Sequence, residues 1–142
     1  MIRYARAADM LDIMNIWLTA NQEAQPFIDP EYWHANVFMI EHLMKEAEFY
    51  VYHEKKEILG FAAVKCGYLI GIYVKQGFRS KGIGQELLEV ALSWSRRLTL
   101  TVYEKNKSAI KFFERNEFKL SAMFVNSVTG QVEYQMKNTA WD

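Results

Sequence analysis

The stretch Arg79-Ser80-Lys81-Gly82-Ile83-Gly84 is the most informative part of the sequence. It stands between an apolar run, Tyr68–Val74, that predicts a strand and an amphipathic segment that predicts a helix beginning at Gly82. Glycine lets a backbone approach a ligand closely, and the first amides of a helix have no intrahelical partner. Arg79 and Lys81 add charged hydrogen-bond donors. The stretch therefore predicts a local anion site that suits a pyrophosphate.

The charge of the chain is balanced overall but uneven along the sequence. Lysine plus arginine and aspartate plus glutamate number 17 each, so no global field indicates a nucleic-acid or membrane partner, and we expect neither. Residues 58–85 include no acidic residue, but they include Lys65, Lys75, Arg79 and Lys81. The positive charge is thus concentrated where an anion would bind.

The composition predicts one packed domain over residues 1–142, since 51% of the chain is hydrophobic. Cys66 is the single cysteine, so it has no partner for an internal disulfide, and we predict that it is a buried small residue. No Cys and His cluster accompanies it, so we expect no metal. The longest apolar stretch is far shorter than a membrane span, and the first nine residues contain no apolar run. We therefore expect a cytoplasmic protein.

Hydrophobic periodicity predicts the remaining elements. The predicted strands are Ile2–Ala5, Phe49–His53, Ile58–Cys66, Tyr68–Val74, Leu98–Tyr103, Phe118–Val125 and Val132–Lys137. The predicted helices are Asp9 to about Asn21, Trp33–Met44, the helix that begins at Gly82, and Ser108–Asn116. The order is βααβββαβαββ. This order predicts an α/β (α+β) fold, with a mixed, mostly antiparallel sheet of about seven strands and about four helices.

The sequence does not match two other kinds of phosphate-binding loop. A Walker loop ends in Gly-Lys-Ser/Thr, which is missing here. A dinucleotide-binding fold places G-x-G-x-x-G directly after its first strand, whereas this loop follows a run of adjacent strands. We exclude both classes.

The order of the predicted elements and this loop together resemble the GNAT family, the GCN5-related N-acetyltransferases, and in particular its small bacterial members. The family signature Q/R-x-x-G-x-G/A follows a strand that ends in an apolar-x-Val pattern, and here Ile72-Tyr73-Val74 leads into residues 79–84. A second family motif, an Asn after a strand and then a short helix that ends in aromatic residues, is matched by Asn106 and by Phe112-Phe113. The resemblance covers nearly the whole chain.

This resemblance implies an acetyl-CoA-dependent N-acetyltransferase that transfers an acetyl group directly to a primary amine, of a small molecule or of a protein lysine or N-terminus. It implies no metal. Lys107 or Lys111 is expected to reach the 3′-phosphate of the donor. The residues that the resemblance implies for donor binding are Ile72, Tyr73, Val74, Arg79, Ser80, Lys81, Gly82, Ile83, Gly84, Gln85, Asn106, Ser108 and Phe113.

The chain departs from the family at two positions. Members commonly carry a tyrosine, the proton donor to the leaving thiolate, where this chain has Phe113. We therefore predict Tyr103 as the catalytic residue, with Tyr73 as the other candidate donor. The alternative is a non-catalytic acyl-CoA-binding or sensing module. The second departure is Asn116-Glu117 before Phe118 in place of a glycine, and we expect Asn116 to take the left-handed conformation.

The sequence gives less specific evidence for the residues that bind the amine acceptor. Residues 25–33 join the first two helices, where the family contacts its acceptor, and we predict Phe27, Tyr32 and Trp33 as substrate-binding residues. Packing of Phe27 and Trp33 between the helices and the sheet is an equally good interpretation. The general base is left open among Glu23, Asp29, Glu31, His34 and a water chain. We expect a monomer or a homodimer, with Val132–Lys137 as a possible dimer edge.

Overall fold

The computed structural model describes residues 1–141. Within these residues the chain forms a seven-stranded sheet, five α-helices and two short 3-10 turns, at Ala7–Asp9 and Thr139–Trp141. The strands are β1 (Ile2–Tyr4), β2 (Glu48–Glu54), β3 (Glu57–Lys65), β4 (Tyr68–Val74), β5 (Thr99–Tyr103), β6 (Phe118–Val125) and β7 (Val132–Asn138). The helices are α1 (Met10–Ala24), α2 (Pro30–Asn36), α3 (Met39–Glu46), α4 (Ile83–Trp94) and α5 (Lys107–Arg115).

The sheet is mixed and mostly antiparallel, as predicted. Its strand order is β1-β2-β3-β4-β5-β7-β6. Every neighbouring pair among the described strands is antiparallel except β4 and β5, which are parallel and are connected through α4. The predicted α+β class is confirmed.

The second predicted helix is two helices, which corrects the expected number from four to five within residues 1–141. The chain turns at Val37 and Phe38, where the amide of Ile40 donates to the carbonyl of Val37 in a three-residue step. The backbone of Val37 (φ −61°, ψ −34°) and of Phe38 (φ −72°, ψ −12°) stays in the right-handed region. The apolar period therefore runs across the break, which is why periodicity did not reveal it.

The helices cover the two faces of the sheet and form two cores. Helices α4 and α5 pack on one face, where Leu87, Leu88 and Leu100 are buried. Helices α1, α2 and α3 pack on the other, around Ile13 and Phe61. None of the described helices is long and apolar enough to cross a membrane.

Gly60 in β3 lies close to both the neighbouring strand β4 and the helix α4. A Cβ atom there would lie 2.8 Å from the backbone oxygen of Tyr73, 3.3 Å from Cγ2 of Ile83 and 3.4 Å from Cδ1 of Leu87. The backbone oxygen cannot move without shifting β4. We expect Gly60→Ala to lower the free energy of unfolding by about 1–3 kcal/mol, as overpacked cores do. Urea denaturation checks this, and a loss well below that range would contradict the close packing.

Cys66 is exposed, which corrects the prediction that it is buried. It forms the two-residue connection between β3 and β4 together with Gly67, and both residues are left-handed, at φ 49° and 78°. Such turns match the twist of an antiparallel hairpin, so the loop places Cys66 at its tip.

Two further expectations about the C-terminal part are wrong. Strand β7 lies between β5 and β6, so it cannot be a dimer edge, and the outer strand on this side of the described sheet is β6. The left-handed residue after α5 is Glu117, at φ 66°, whereas Asn116 has φ −102°. The amide of Glu117 donates to Glu114 and its carbonyl accepts from Thr139, and these bonds hold the residue in that conformation.

Candidate active site

A cleft opens where β4 and β5 separate. In the described residues these strands are paired at Tyr68 with Thr99 and at Leu69 with Leu100, and then diverge. A bulge leaves Ile70 as an extra residue in β4, beside Gly71. Bulges bend a strand, so this one directs β4 away from β5.

The cleft has a volume of about 560 Å³ and brings together residues from four elements, α1, β4, α4 and α5, with the loop before α4. Every predicted donor-binding residue except Lys81 lines it. The ammonium of Lys81 lies over the ring of Phe78, 5.4 Å from its centroid. The lining residues are Ala20, Asn21, Ala24, Gln25, Ile72, Tyr73, Val74, Phe78, Arg79, Ser80, Gly82, Ile83, Gly84, Gln85, Asn106, Ser108, Ala109, Phe112, Phe113 and Arg115.

The loop before α4 owes its shape to left-handed residues. Gly77, Ser80 and Gly82 have φ values of 88°, 62° and 85°. Gly82 is the N-cap of α4, so the first amides of the helix follow directly after it. A Cβ atom on Gly84 would lie 3.8 Å from Phe112 and 3.9 Å from Ile72, both on the cleft wall. The helix N-terminus therefore faces the cleft and favours an anion there.

Arg79 bridges the mouth of the cleft. Its Nε donates to the carbonyl oxygen of Val74 at 3.1 Å, and its Nη1 lies 3.1 Å from Oε2 of Glu23 in α1. Both side chains of this ion pair are more than a third exposed, so solvent weakens it. The guanidinium can therefore exchange the carboxylate for a phosphate at little cost.

Side-chain hydrogen bonds fix the wall formed by α5. Asn106 caps this helix by accepting from the amide of Ala109 at 3.3 Å. Nε2 of Gln85 donates to Oδ1 of Asn116 at 2.8 Å, which ties α4 to α5. Lys107 and Lys111 are exposed on α5. The wall is thus rigid before any ligand binds.

Phe113 supplies an apolar surface at the position where the resembled family has a tyrosine. It is buried, and its ring packs 5.1 Å from that of Phe112 and 5.4 Å from that of Phe118. It also lines the cleft. A phenyl ring there can pack against a ligand but cannot give it a proton.

Tyr73 brings a hydroxyl to the same cleft. Its ring lies across Gly71: a Cβ atom on that residue would be 2.4 Å from Cε2 of Tyr73 and 2.7 Å from its hydroxyl oxygen. Burial raises the pKa of Tyr73, and the side chains of Asn21 and Trp17 oppose this shift by hydrogen bonding. The hydroxyl is therefore protonated at neutral pH and available as a donor.

Tyr103 is not among the described residues that line the cleft. It is buried in the core that α1, α2 and α3 form on the sheet, and Tyr73 packs against the same core. Its ring packs edge-on against Phe27 at 5.8 Å and Trp33 at 6.4 Å. Burial, chiefly, and the nearby Tyr32 and Glu133 raise its pKa. The structure thus groups the predicted catalytic residue with the three predicted substrate-binding residues, outside the cleft that the predicted donor-binding residues line.

The three predicted substrate-binding residues differ in exposure. Trp33 is 5% exposed and packs against Trp17 and Tyr32, which favours the packing interpretation for this residue. Phe27 and Tyr32 are half-buried, and the ammonium of Lys105 lies over the Phe27 ring at 5.4 Å. Phe27 and Tyr32 remain accessible in part.

Sequence reasoning missed Asn21 and Gln25. Both are buried, 4% and 7% exposed, and both line the cleft. Asn21 follows Trp17 by four residues on the buried face of α1, and Gln25, four residues further on, is the residue at which the helix ends. Polar residues at buried positions of a helix were the signal in the sequence, because such residues need partners.

The cleft continues past these residues as a smaller cavity of about 100 Å³. It lies where β4 and β5 part, between Ile70 and Thr101, and shares Asn21, Gln25 and Tyr73 with the larger cleft. No group of three or more metal-binding side chains occurs in residues 1–141.

A sheet split at a bulge, with a glycine loop and a helix N-terminus at the opening, is the architecture of an acetyl-CoA-dependent acyltransferase. The chain belongs to the acetyltransferase (GNAT) family, whose family model matches residues 9–118. It is an acetyl-CoA-dependent N-acetyltransferase, and acetyl-CoA is its acyl donor.

Relatives agree with this assignment. The chain is 29% identical to the peptidyl-lysine N-acetyltransferase YiaC of Escherichia coli K12 over 122 residues. These aligned residues cover 84% of each chain. The solution structure of apo-form YjaB from Escherichia coli has the same fold, with a TM-score of 0.85, 22% identity and coverage of 98% of this chain and 97% of that one. The PaiA N-acetyltransferase of Thermoplasma acidophilum in complex with coenzyme A has a TM-score of 0.83 at 19% identity, with 97% of each chain covered.

Proposed function

We propose that this enzyme acetylates lysine side chains of peptides or proteins. The observation that carries the acceptor class is the match to YiaC, a peptidyl-lysine N-acetyltransferase, over 84% of both chains. YjaB of Escherichia coli K12, at 26% identity, carries the same description. A lysine amine is also the kind of primary amine that the family reaction requires.

We propose that the donor lies in the cleft between β4 and β5. The amides of its pantetheine arm would pair with the backbone of Ile72 and Val74, since the strand edge there is not paired with β5. The pyrophosphate would bind at residues 79–85, at the N-terminus of α4. Asn106, Ser108 and Phe113 would form the opposite wall, with Lys107 or Lys111 near the 3′-phosphate. The proposed donor position is supported by the fact that Ile72, Val74, Asn106, Ser108 and Phe113 line the same cleft as the loop before α4.

The reaction in this arrangement is direct transfer. A lysine ammonium, with a pKa of about 10.4, first loses a proton to solvent or to a base. The neutral nitrogen attacks the thioester carbon, and backbone amides beside Val74 stabilise the developing oxyanion. The C–N bond forms, the C–S bond breaks, and the nitrogen releases a second proton as it becomes an amide. The sulfur takes up one proton, so one proton is released per turnover.

We propose Tyr73 as the group that donates a hydrogen bond to the leaving sulfur. It lines the cleft, whereas Tyr103 does not, and Phe113 has no hydroxyl. Its raised pKa keeps the proton on the oxygen through the neutral range. The hydroxyl therefore stabilises the thiolate without having to be ionised first.

Turnover with a defined peptide tests the acceptor class. We expect thiol release from acetyl-CoA with a peptide that has a blocked N-terminus and one lysine, and mass spectrometry should place the acetyl group on the lysine Nε. The matched control is the same peptide with arginine in place of lysine. A free N-terminus acetylated in preference to lysine would contradict the proposed acceptor. Coenzyme A binding without turnover of any amine would indicate the non-catalytic module.

We further propose one domain, a cytoplasmic location and a monomeric or homodimeric state. The cytoplasm is where the acetyl-CoA that the enzyme consumes is available. For a homodimer, the outer strand β6 is the edge to consider, because Leu120, Met123 and Val125 on it are 50%, 62% and 64% exposed. Light scattering distinguishes the two states.

A further inference from the structure

We propose that the side-chain carbonyl of Gln25 binds the amino group of the acceptor and orients it toward the thioester. This inference rests on the proposed position of the donor between β4 and β5. It assigns the acceptor amine a binding site at the C-terminal end of α1, at the point where the cleft meets the smaller cavity.

The side chain of Gln25 is buried, and its carbonyl oxygen makes no hydrogen bond within the described residues. The residue is 7% exposed, and the unpaired atom is Oε1. Its backbone is held independently, because its amide donates to Asn21 at 2.9 Å and its carbonyl accepts from Ile28 at 3.1 Å. A buried hydrogen-bond acceptor without a partner costs free energy. A ligand that supplies a hydrogen-bond donor removes this cost.

The surroundings of Gln25 show where its side chain lies. Gln25 lines both the large cleft and the smaller cavity, together with Tyr73, Asn106 and Phe113. The smaller cavity also reaches Gly71, beside the bulge where β4 turns away from β5. In the described residues the other unpartnered buried side-chain atom is Nε1 of Trp33, which does not line either cavity. Gln25 is thus the unsatisfied group at the point where the strands part.

The chemistry of the two substrates decides which of them Gln25 binds. An amide oxygen accepts hydrogen bonds and does not donate them. The thioester carbonyl oxygen and sulfur are also acceptors, so neither is a partner for this oxygen. The amides of the pantetheine arm are donors, but the open backbone of β4 is available to them. A primary amine presents N–H groups, and it is the remaining reactant at this place.

A glutamine also suits the protonation state that the reaction needs. The attacking nitrogen must be neutral, and a carboxylate close to it would stabilise the ammonium and raise its pKa. The neutral amide of Gln25 can hold the amine without that penalty. Gln25 therefore positions the nucleophile and does not act as its base.

Kinetics of three variants test this role, with n-butylamine and the blocked lysine peptide as acceptors. We expect Gln25→Ala to lower kcat/KM for either amine roughly tenfold, the effect of one lost hydrogen bond, and to leave KM for acetyl-CoA unchanged. Gln25→Glu keeps the size of the side chain, and we expect it to move the pH dependence of kcat/KM for the amine to higher pH. The matched control is Gln22→Ala, one turn earlier in α1, where the side chain contacts His34 and does not line the cleft. It should leave all parameters unchanged.

The outcomes separate this inference from the proposed acceptor class. Turnover of n-butylamine without turnover of the peptide would reject peptidyl-lysine as the acceptor, and the Gln25 variants would still report on n-butylamine. A raised KM for acetyl-CoA in Gln25→Ala, with kcat/KM for the amine unaffected, would overturn the inference. So would a pH profile of Gln25→Glu that coincides with wild type, or wild-type enzyme that acetylates neither amine.

Discussion

Tyr73→Phe is expected to lower kcat roughly 10²-fold, the typical contribution of a positioned donor. The substitution removes the hydroxyl that lines the cleft and leaves the ring in place over Gly71. Because the ring keeps its packing, we expect KM for acetyl-CoA and the melting temperature to change little. Stopped assays of thiol release under saturating donor and amine measure the effect.

Two comparison variants make this result specific. Tyr103→Phe removes the hydroxyl of the other candidate donor, and we expect the smaller loss of kcat, because Tyr103 does not line the cleft. Phe113→Tyr supplies a hydroxyl to the same cleft, so it should partly restore kcat when combined with Tyr73→Phe. A larger loss for Tyr103→Phe than for Tyr73→Phe would show that Tyr103, and not the tyrosine that lines the cleft, supplies the proton.

Gly84→Val is expected to weaken coenzyme A binding by roughly 10²-fold, the second large effect. The Cβ atom fits, at 3.8 Å from Phe112 and 3.9 Å from Ile72, but the further methyl groups would occupy the cleft beside the N-terminus of α4. The pyrophosphate would then lose its close approach to the helix amides. The readout is the melting temperature with coenzyme A. Wild type should gain about 2.7 kcal/mol at a concentration of 100 Kd, and the variant should lose nearly all of this gain.

Ser93→Val is the matched control for Gly84→Val. It places the same β-branched side chain in α4 at an exposed position that does not line the cleft. It therefore reports the stability cost of valine in this helix, together with the loss of the hydrogen bond from the Ser93 hydroxyl to the carbonyl of Val90. Its response to coenzyme A should equal that of wild type. If Gly84→Val keeps the full response, the α4 N-terminus does not bind the donor.

The grouping of the proposed donor-binding residues in one cleft was predictable from the sequence, because these residues stand in short motifs. Ile72-Tyr73-Val74 and residues 79–85 are joined by a short loop, so strand and helix must place them together. The left-handed Gly82 and the bulge beside Gly71 follow from the same local pattern. Local sequence determines local geometry here.

The acceptor side was not predictable to the same degree, because it depends on packing between distant segments. The burial of Tyr103 depends on its packing against Phe27 and Trp33, which are far from it in the sequence. Gln25 reaches the cleft only through the packing of α1 against β3 and β4. The exposure of Cys66 depends on a turn whose left-handed first residue is not a glycine. Such features need tertiary contacts that a single sequence does not display.

A crystal structure of the enzyme with coenzyme A would show whether the donor occupies the proposed position. We expect the pantetheine arm to lie between β4 and β5, with its amides paired to the backbone of Ile72 and Val74. The pyrophosphate should lie within hydrogen-bond distance of the amides of residues 82–85, and Gln25 Oε1 should stay free for the acceptor. Coenzyme A bound outside this cleft, with β4 and β5 unoccupied between Ile72 and Val102, would contradict it.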